Sequence, residues 1–476
     1  MNKLLAFFSS ALFFSCSHPE SKPDWQNKDL QKDGRFGISI DIAYDQLLRD
    51  KKASGIIVAV IDSGIDTTEE DLHQVLWSDP TDGSHGRNFI VELKGKEDFI
   101  YQLEHKKNEP GYERTLADYN LHITRLQNFI SQTKQSENIL KELPDHIGKK
   151  DPTLDDLRMY NPRNEAERWM LGLLLQRMPA YPDFSSLKFA EVDNLLIAAN
   201  HHLSHGLKLE LPDSENGDSM SDSNISNDPA GLVPDPLYGA YHGTYISGII
   251  AAVRNNGKGI NGIADSAKIM TLKLSGGIRE MRNTDLAIAI RYAADHGAKI
   301  INMSFGKTFS VHRESVDSAV KYAMSKGLLI IHSAGNDRMN LDIDGNTFYP
   351  SPIYLDGGTA AAWITVGASG FRDDSTLAAS FSNYGQHSVD VFAPGVQITS
   401  TIPFGGTITW DGTSQAAAVV TGLASLIWSY YPKLTALQIK DIILRSVVRR
   451  EVLKNKCITG GVVNAFNALK LAARNY

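Results

Sequence analysis

Four side chains in this sequence are suited to nucleophilic chemistry. Ser414 lies in DGTSQAAAVVTGLASLIWSYYP, where Gly412 and Thr413 make a tight entry to a small-residue helical pattern that Pro432 terminates. A serine hydroxyl is a weak nucleophile until a base removes its proton. At a helix start its own N–H faces the space above it, and the helix dipole favours negative charge there. A plain N-cap serine is the competing role. His242 opens HGTYISGIIAAV, in which Gly243, Gly248 and the alanines allow close packing against a sheet. Its ring nitrogens can bond a carboxylate on one side and a hydroxyl on the other, although a solvent-facing helix-start histidine fits the same pattern. Asp62 sits in VIDSGID, after the apolar run IIVAVI and before the Ser63-Gly64 turn. A carboxylate there can orient a base, or simply cap a helix. Asn336, in LLIIHSAGND, follows another apolar run and a glycine. Its amide can donate to an oxygen acquiring charge, which is worth ~3–4 kcal/mol when it acts on a transition state; a left-handed loop asparagine is the alternative.

These residues need elements to hold them. Short apolar runs occur at Ile56 to Ile61, Lys268 to Leu274, Lys299 to Phe305, Leu328 to His332, Trp363 to Ala368 and Val389 to Ala393. Strands apolar on both faces suit a parallel sheet covered on both sides. Helical patterns lie between them, as at Thr284 to His296 and Glu314 to Ser325. Alternating β and α predicts a doubly wound α/β sheet, whose chemistry lies beyond the carboxyl ends of the strands.

The alternation stops between about Val91 and Leu232. Leu116, Tyr119, Ile123, Leu126 and Ile130 recur at helical steps, as do Ala166, Met170, Leu173 and Leu174, with Pro179 ending the second stripe. Asp213 to Asp228 is polar and of low complexity. The expected organisation is a signal peptide over 1–15, a polar tether over 16–36, the first part of an α/β domain over 37–90, a helical insertion with a polar loop over 91–232, and the second part of the domain over 233–476.

In the first stretch, Lys3 precedes an apolar run from Leu4 to Phe14 that is too short to span ~30 Å of hydrocarbon and fits an export signal. Cys16 follows Ser15, an arrangement that resembles the lipobox of bacterial lipoproteins. The expectation is an exported cell-envelope protein, lipidated at Cys16 and held at the outer membrane, or otherwise secreted. Across the chain, 48 Lys and Arg against 55 Asp and Glu give a net charge of −7, a poor basis for nucleic-acid binding. Two cysteines, Cys16 and Cys457, exclude a disulfide scaffold and multi-cysteine metal sites.

Asp62, His242, Asn336 and Ser414 stand in the chain order of a subtilisin acid, base, oxyanion donor and nucleophile. The sequence resembles the subtilisin-like serine peptidases. VIDSGID is similar to the Asp motif of that family, HGTYISGIIAA to its His motif, SAGND to its oxyanion motif, GTSQAAAVVTG to its Ser motif and INMSFG to its substrate-binding strand. The resemblance runs from about Gly37 to Ala473, outside the insertion.

It implies a three-layer α/β/α fold, with a mainly parallel sheet, and endopeptidase activity on polypeptide substrates. Ser414 would attack a peptide carbonyl, His242 would move the proton, and Asp62 would hold the imidazole. Asn336 and the Ser414 N–H would bind the oxyanion. Ser304, Phe305 and Gly306 would pair with substrate as an added strand, and Gly335 and Asp337 would border the pocket for the residue before the cut, with Asp337 favouring a basic side chain. Tyr245, Gln415 and Ala418 depart from the family pattern, standing where a second His, a Met and a Pro are usual. No cofactor is required. Calcium is the one metal the resemblance allows, with Asp71 at a ligand position and Arg254 to Gly259 as the partner loop. His201 and His205 read as surface histidines, and Asp342 to Asn346 as a plain loop, because Ile353 stands where a calcium loop needs Glu. An insertion between Asp62 and His242, 180 residues apart, is expected near the cleft. Two other functions fit the same fold: a catalytically inactive binding protein, and a narrow-specificity processing protease.

Overall fold

The computed structural model describes residues 24–89, 240–274, 281–308, 310, 313–403 and 405–475, together with residues 131, 134–164 and parts of 167–188. Cys16, His201, His205, the Leu116 to Ile130 stripe and Asp213 to Asp228 lie outside the described residues. The chain falls into two compact units.

The larger unit is built on nine strands: β1 (Ile56–Asp62), β2 (Gly86–Asn88), β3 (Ala267–Lys273), β4 (Ile300–Met303), β5 (Leu329–Ser333), β6 (Trp363–Ser369), β7 (Val391–Pro394), and, after a hairpin of β8 (Ile398–Thr401) and β9 (Thr407–Trp410), the short β10 (Val448–Arg449) and β11 (Gly461–Val462). Their order is β10-β11-β7-β6-β5-β4-β1-β3-β2. Every neighbouring pair is parallel except β10 with β11.

Six helices cover the sheet: α1 (Tyr241–Ala251), α2 (Asn283–Asp295), α3 (Arg313–Ser325), α4 (Thr413–Tyr430), α5 (Ala436–Arg445) and α6 (Ala465–Asn475). The strand period of two sends alternate side chains to opposite faces. Val58, Val60, Ile300, Leu329 and Ile331 join one core with residues of α1, α4, α5 and α6. Ala59, Ile61, Ile301 and Ile330 join the other with Leu286 and Ile290 of α2 and Ala319 and Val320 of α3. Both faces are therefore buried, which is why the strands read as unbroken apolar runs rather than as alternation. This is the expected three-layer α/β/α architecture.

Residues 24–36 differ from the polar tether expected there. Trp25 and Phe36 are buried in the cores, and the Trp25 indole N–H donates to Val396 O and Gln397 O at 3.0 and 3.1 Å. Two aromatic side chains in a polar stretch are enough to dock it.

The smaller unit contains a helical stretch over residues 134–147 and short helices Leu154–Met159 and Phe184–Lys188. Leu140, Leu143, Leu157, Met170, Leu174 and Phe184 form its core.

Candidate active site

The parallel register aligns the carboxyl ends of β3, β1, β4 and β5, with Asp62 opposite Lys273, Ile61 opposite Met303 and Met303 opposite His332. Asp62 therefore ends its strand one residue beyond the Ile61–Met303 pair, at the level where Ser304 leaves β4.

His242 enters this edge on the first turn of α1. Its Nδ1 lies 2.8 and 2.9 Å from the two oxygens of Asp62, and Asp62 Oδ1 also accepts from Ser63 N at 2.7 Å. Gly243 makes the approach possible. A Cβ there would stand 2.0 Å from Gly64 O, so no larger residue lets α1 seat against the β1 turn. Thr244 Oγ1 accepts from Asp66 N, and Gly243 N donates to Ser63 Oγ, fastening the helix to that turn. Burial disfavours the protonated imidazole, but the charge and hydrogen bond of Asp62 outweigh it, and the His242 pKa stands above its ordinary value.

Ser414 is the second residue of α4. Its hydroxyl donates to Ser304 O at 2.8 Å, while Ser304 Oγ donates to Ser414 O at 3.0 Å. Behind them Thr421 Oγ1 donates to Asn302 Oδ1 (2.8 Å), and Asn302 Nδ2 donates to Ser304 Oγ (3.0 Å). This buried relay fixes the start of α4 to β4. The structure thus pairs Asp62 with His242 directly and brings Ser414 to the neighbouring strand end, where its hydroxyl is engaged by Ser304.

Asn336 Oδ1 accepts from both the N–H and the hydroxyl of Thr413, each at 2.9 Å. With its oxygen so held, the amide presents Nδ2 as its free donor end. Thr413 also accepts from Gly335 N at 3.1 Å, locking the loop after β5 to the start of α4. A second brace is Asn383. Its Oδ1 accepts from Asp337 N (2.9 Å) and Met339 N (2.8 Å), and its Nδ2 donates to Ala334 O (2.8 Å) and Asp337 Oδ2 (3.2 Å). Asn383 is absent from the motifs because it lies in an irregular stretch far along the chain; an asparagine in FSNYG carries no periodic signal.

Of the expected substrate strand, Ser304 O accepts from Ser414 and Phe305 O accepts from His332 Nε2 at 2.8 Å. His332 is buried, and burial pushes its pKa down to about 4. The Asp337 carboxylate accepts from Asn383 Nδ2 through Oδ2 at 3.2 Å.

Tyr245 is fully buried, donates to Ile398 O, accepts from Trp410 N at 3.2 Å, and packs tilted against Trp410 with ring centroids 4.8 Å apart. Burial pushes its phenol pKa up. Gln415, beside Ser414 in the chain, is buried as well.

The calcium expectation can be tested on the oxygens around Asp71. Asp71 is fully buried and accepts from Asn256 Nδ2 (2.6 Å) and Ile260 N (3.0 Å). The loop wraps it so closely that a Cβ on Gly259 would lie 2.3 Å from Asp71 Oδ2. Asp24, Asn255, Lys258 and Asn261 line an adjoining cavity, and the buried oxygens Asp24 Oδ1, Gln26 Oε1 and Asn27 Oδ1 lack hydrogen-bond partners. Among the described residues no three His, Cys, Asp or Glu cluster to hold a metal. Carboxylate plus amide oxygens are a donor set for a hard cation, and these residues fit calcium.

The fold and site define a subtilisin-like α/β protein. Solved structures share that fold: a protease from Pseudoalteromonas arctica PAMC 21717, with a TM-score of 0.52 and 20% identity over 94% of this chain and 98% of that one, and fervidolysin from Fervidobacterium pennivorans, with a TM-score of 0.52 and 20% identity over 94% of this chain and 46% of that one. Residues 53–465 match the Subtilase family model, and the chain belongs to that family. It is similar to the thermophilic serine proteinase of Bacillus sp. (strain AK1), at 39% identity over 195 residues, 41% of this chain and 44% of that protein. It is also similar to thermitase of Thermoactinomyces vulgaris, at 38% identity over 194 residues, 41% of this chain and 63% of that protein. The matches span less than two thirds of either relative.

Proposed function

We propose that this protein is a serine endopeptidase acting on polypeptides, with Ser414 as nucleophile, His242 as general base and acid, Asp62 as orienting carboxylate, and Asn336 with the Ser414 N–H as oxyanion donors. The observation that carries the reading is the contact of His242 Nδ1 with both Asp62 oxygens at the strand edge that also holds Ser414. That contact puts the proton on Nδ1 and leaves Nε2 as the basic nitrogen. Rotation about the Ser414 side-chain bond would move the hydroxyl from Ser304 O to His242 Nε2. Proton removal accompanies attack on the carbonyl carbon, and the imidazolium formed is stabilised by Asp62. The oxyanion develops opposite Asn336 Nδ2, which Thr413 and Asn383 preorganise. His242 then returns the proton to the leaving amine. Water repeats the sequence on the acyl-enzyme.

Calcium is proposed as a structural ion held by Asp71 and Asp24 with the loop around Asn256. Bound there it would supply positive charge to buried carboxylates and tie the chain start to the loop, remote from the chemistry.

An inactive binding protein is favoured by one observation, the engagement of the Ser414 hydroxyl by Ser304. A fluorophosphonate probe separates the two. The peptidase is labelled at Ser414, and Ser414→Ala loses both label and peptide hydrolysis while remaining folded. An unlabelled wild type, or hydrolysis retained by Ser414→Ala, refutes the proposal.

A further inference from the structure

The space available to the acyl side chain of a substrate can be located from Ser414. The chain leaving β4 runs on as residues 304–306, and the chain leaving β5 as 334–336. The start of α4 is bonded to both, through Ser414 Oγ to Ser304 O and Gly335 N to Thr413 Oγ1. The resemblance to subtilisin-like peptidases implies that an acyl group attacked by Ser414, with its oxygen turned to Asn336, sends its Cα substituent into the gap between these two segments. Each wall of that gap carries a glycine.

Phe348 occupies it. A Cβ on Gly306 would lie 2.1 Å from Phe348 Cε1 and 2.4 Å from Cζ. A Cβ on Gly335 would lie 2.8 Å from Cε2 and 2.9 Å from Cζ. The tip of one ring therefore lies against both walls; it leaves no room for a Cβ at Gly306, and at Gly335 it shares that role with Asn383 Nδ2, which stands nearer at 2.4 Å. Gly335 also has a φ of +97°, a second reason for its identity.

The ring is held in place. Tyr349, the next residue, exchanges both backbone hydrogen bonds with Lys307, at 2.7 and 2.9 Å. Thr347 Oγ1 donates to Thr308 O at 3.3 Å. The His332 ring packs at 5.7 Å from that of Phe348 and, through Phe305 O, fixes the wall on the β4 side. Both neighbours of Phe348 are thus tied to the segment its ring covers, so an incoming side chain meets a braced floor rather than a movable one.

We propose that Phe348 is a specificity-determining residue that closes the pocket for the residue before the cut, so that the enzyme selects small side chains (glycine, alanine, serine) there. This rests on the peptidase reading above. It displaces the selection of basic side chains expected from Asp337, because the ring fills the gap and Asn383 holds the Asp337 carboxylate.

The test uses the full chain and N-acylated tetrapeptide anilides that differ only in the residue before the cut: alanine, phenylalanine or lysine. A methylene or two in a pocket of fixed size is worth about tenfold or more in kcat/KM. Wild type should prefer alanine over both phenylalanine and lysine by at least about tenfold. Phe348→Ala should raise the phenylalanine-to-alanine ratio by about tenfold or more, with Phe348→Leu intermediate. The ratio does not depend on the fraction of folded enzyme, so a partly folded variant still reports. Wild type cleaving phenylalanine or lysine as fast as alanine, or Phe348→Ala leaving the ratio unchanged, overturns the proposal. Fluorophosphonate labelling of wild-type Ser414 in the same samples keeps the two readings apart: a labelled enzyme with the wrong ratio refutes the pocket alone, whereas an unlabelled, inactive one refutes the peptidase reading and the pocket with it.

Discussion

Replacing Asn383 with alanine tests whether the oxyanion donor is positioned from a distance. Asn383 is fully buried and makes four hydrogen bonds, two accepted from the N–H groups of Asp337 and Met339 and two donated to Ala334 O and Asp337 Oδ2. Truncation removes all four and strands several partners. At ~1 kcal/mol net for each bond, with ~1–3 kcal/mol for a buried group left unpaired, the cost is about 5–7 kcal/mol of stability. That is a large share of the ~5–15 kcal/mol of a typical domain. Asn336 lies between the braced residues, so its amide loses one of its two supports while Thr413 retains the other. Complete loss of an oxyanion donor costs ~10²–10³ in kcat, and partial misplacement should cost about 10–100-fold. KM should change less than about threefold, since no contact to bound substrate is removed. Asn383→Asp should be no better, because it sets a carboxylate oxygen against Ala334 O and the Asp337 carboxylate. The assay is kcat and KM on a peptide anilide, per site titrated by fluorophosphonate, beside urea unfolding. A kcat within twofold of wild type, or a loss confined to KM, would refute the reasoning.

Two other perturbations address the charge on the imidazole and the ion. Peptide hydrolysis needs neutral His242, and Asp62 raises its pKa, so the acid limb of kcat/KM in wild type should lie above the ordinary ~6.5 of histidine. Asp62→Asn should lower kcat/KM by about 10⁴-fold and move the residual limb to lower pH; a limb that stays put or rises contradicts the assignment. Chelation should lower Tm by several degrees, since a ligand present at about 100 times its Kd contributes ~2.7 kcal/mol. Asp71→Asn should abolish that calcium dependence, and equal Tm values for wild type in calcium and chelator would exclude the ion.

The long strands and the helices that carry Ser414 and His242 were legible because burial on both faces leaves a continuous apolar run, and because close helix packing demands small residues. The run Leu328 to His332 became Leu329–Ser333, and Thr284 to His296 became Asn283–Asp295. Strands such as Gly86–Asn88 and Gly461–Val462 escaped notice because two or three residues cannot display a period. The supports of the site were equally hidden. Asn383, Thr413 and Phe348 act across the fold on residues 13 to 78 positions away along the chain, through contacts that local sequence does not encode. Trp25 is a similar case, an apolar anchor in a stretch whose average composition is polar.

The two imidazoles flanking the cleft ionise in separate ranges. His332, sealed beneath the substrate strand with a pKa near 4, stays uncharged down to conditions in which His242 has long since taken up its proton. A rate profile recorded near neutrality is therefore free of any contribution from His332, and the catalytic ring can be followed as though it stood alone. Below that range, charging His332 would add its proton at Nδ1 and leave Nε2 donating to Phe305 O, so the cost of acid there falls on burying a charge and not on that hydrogen bond.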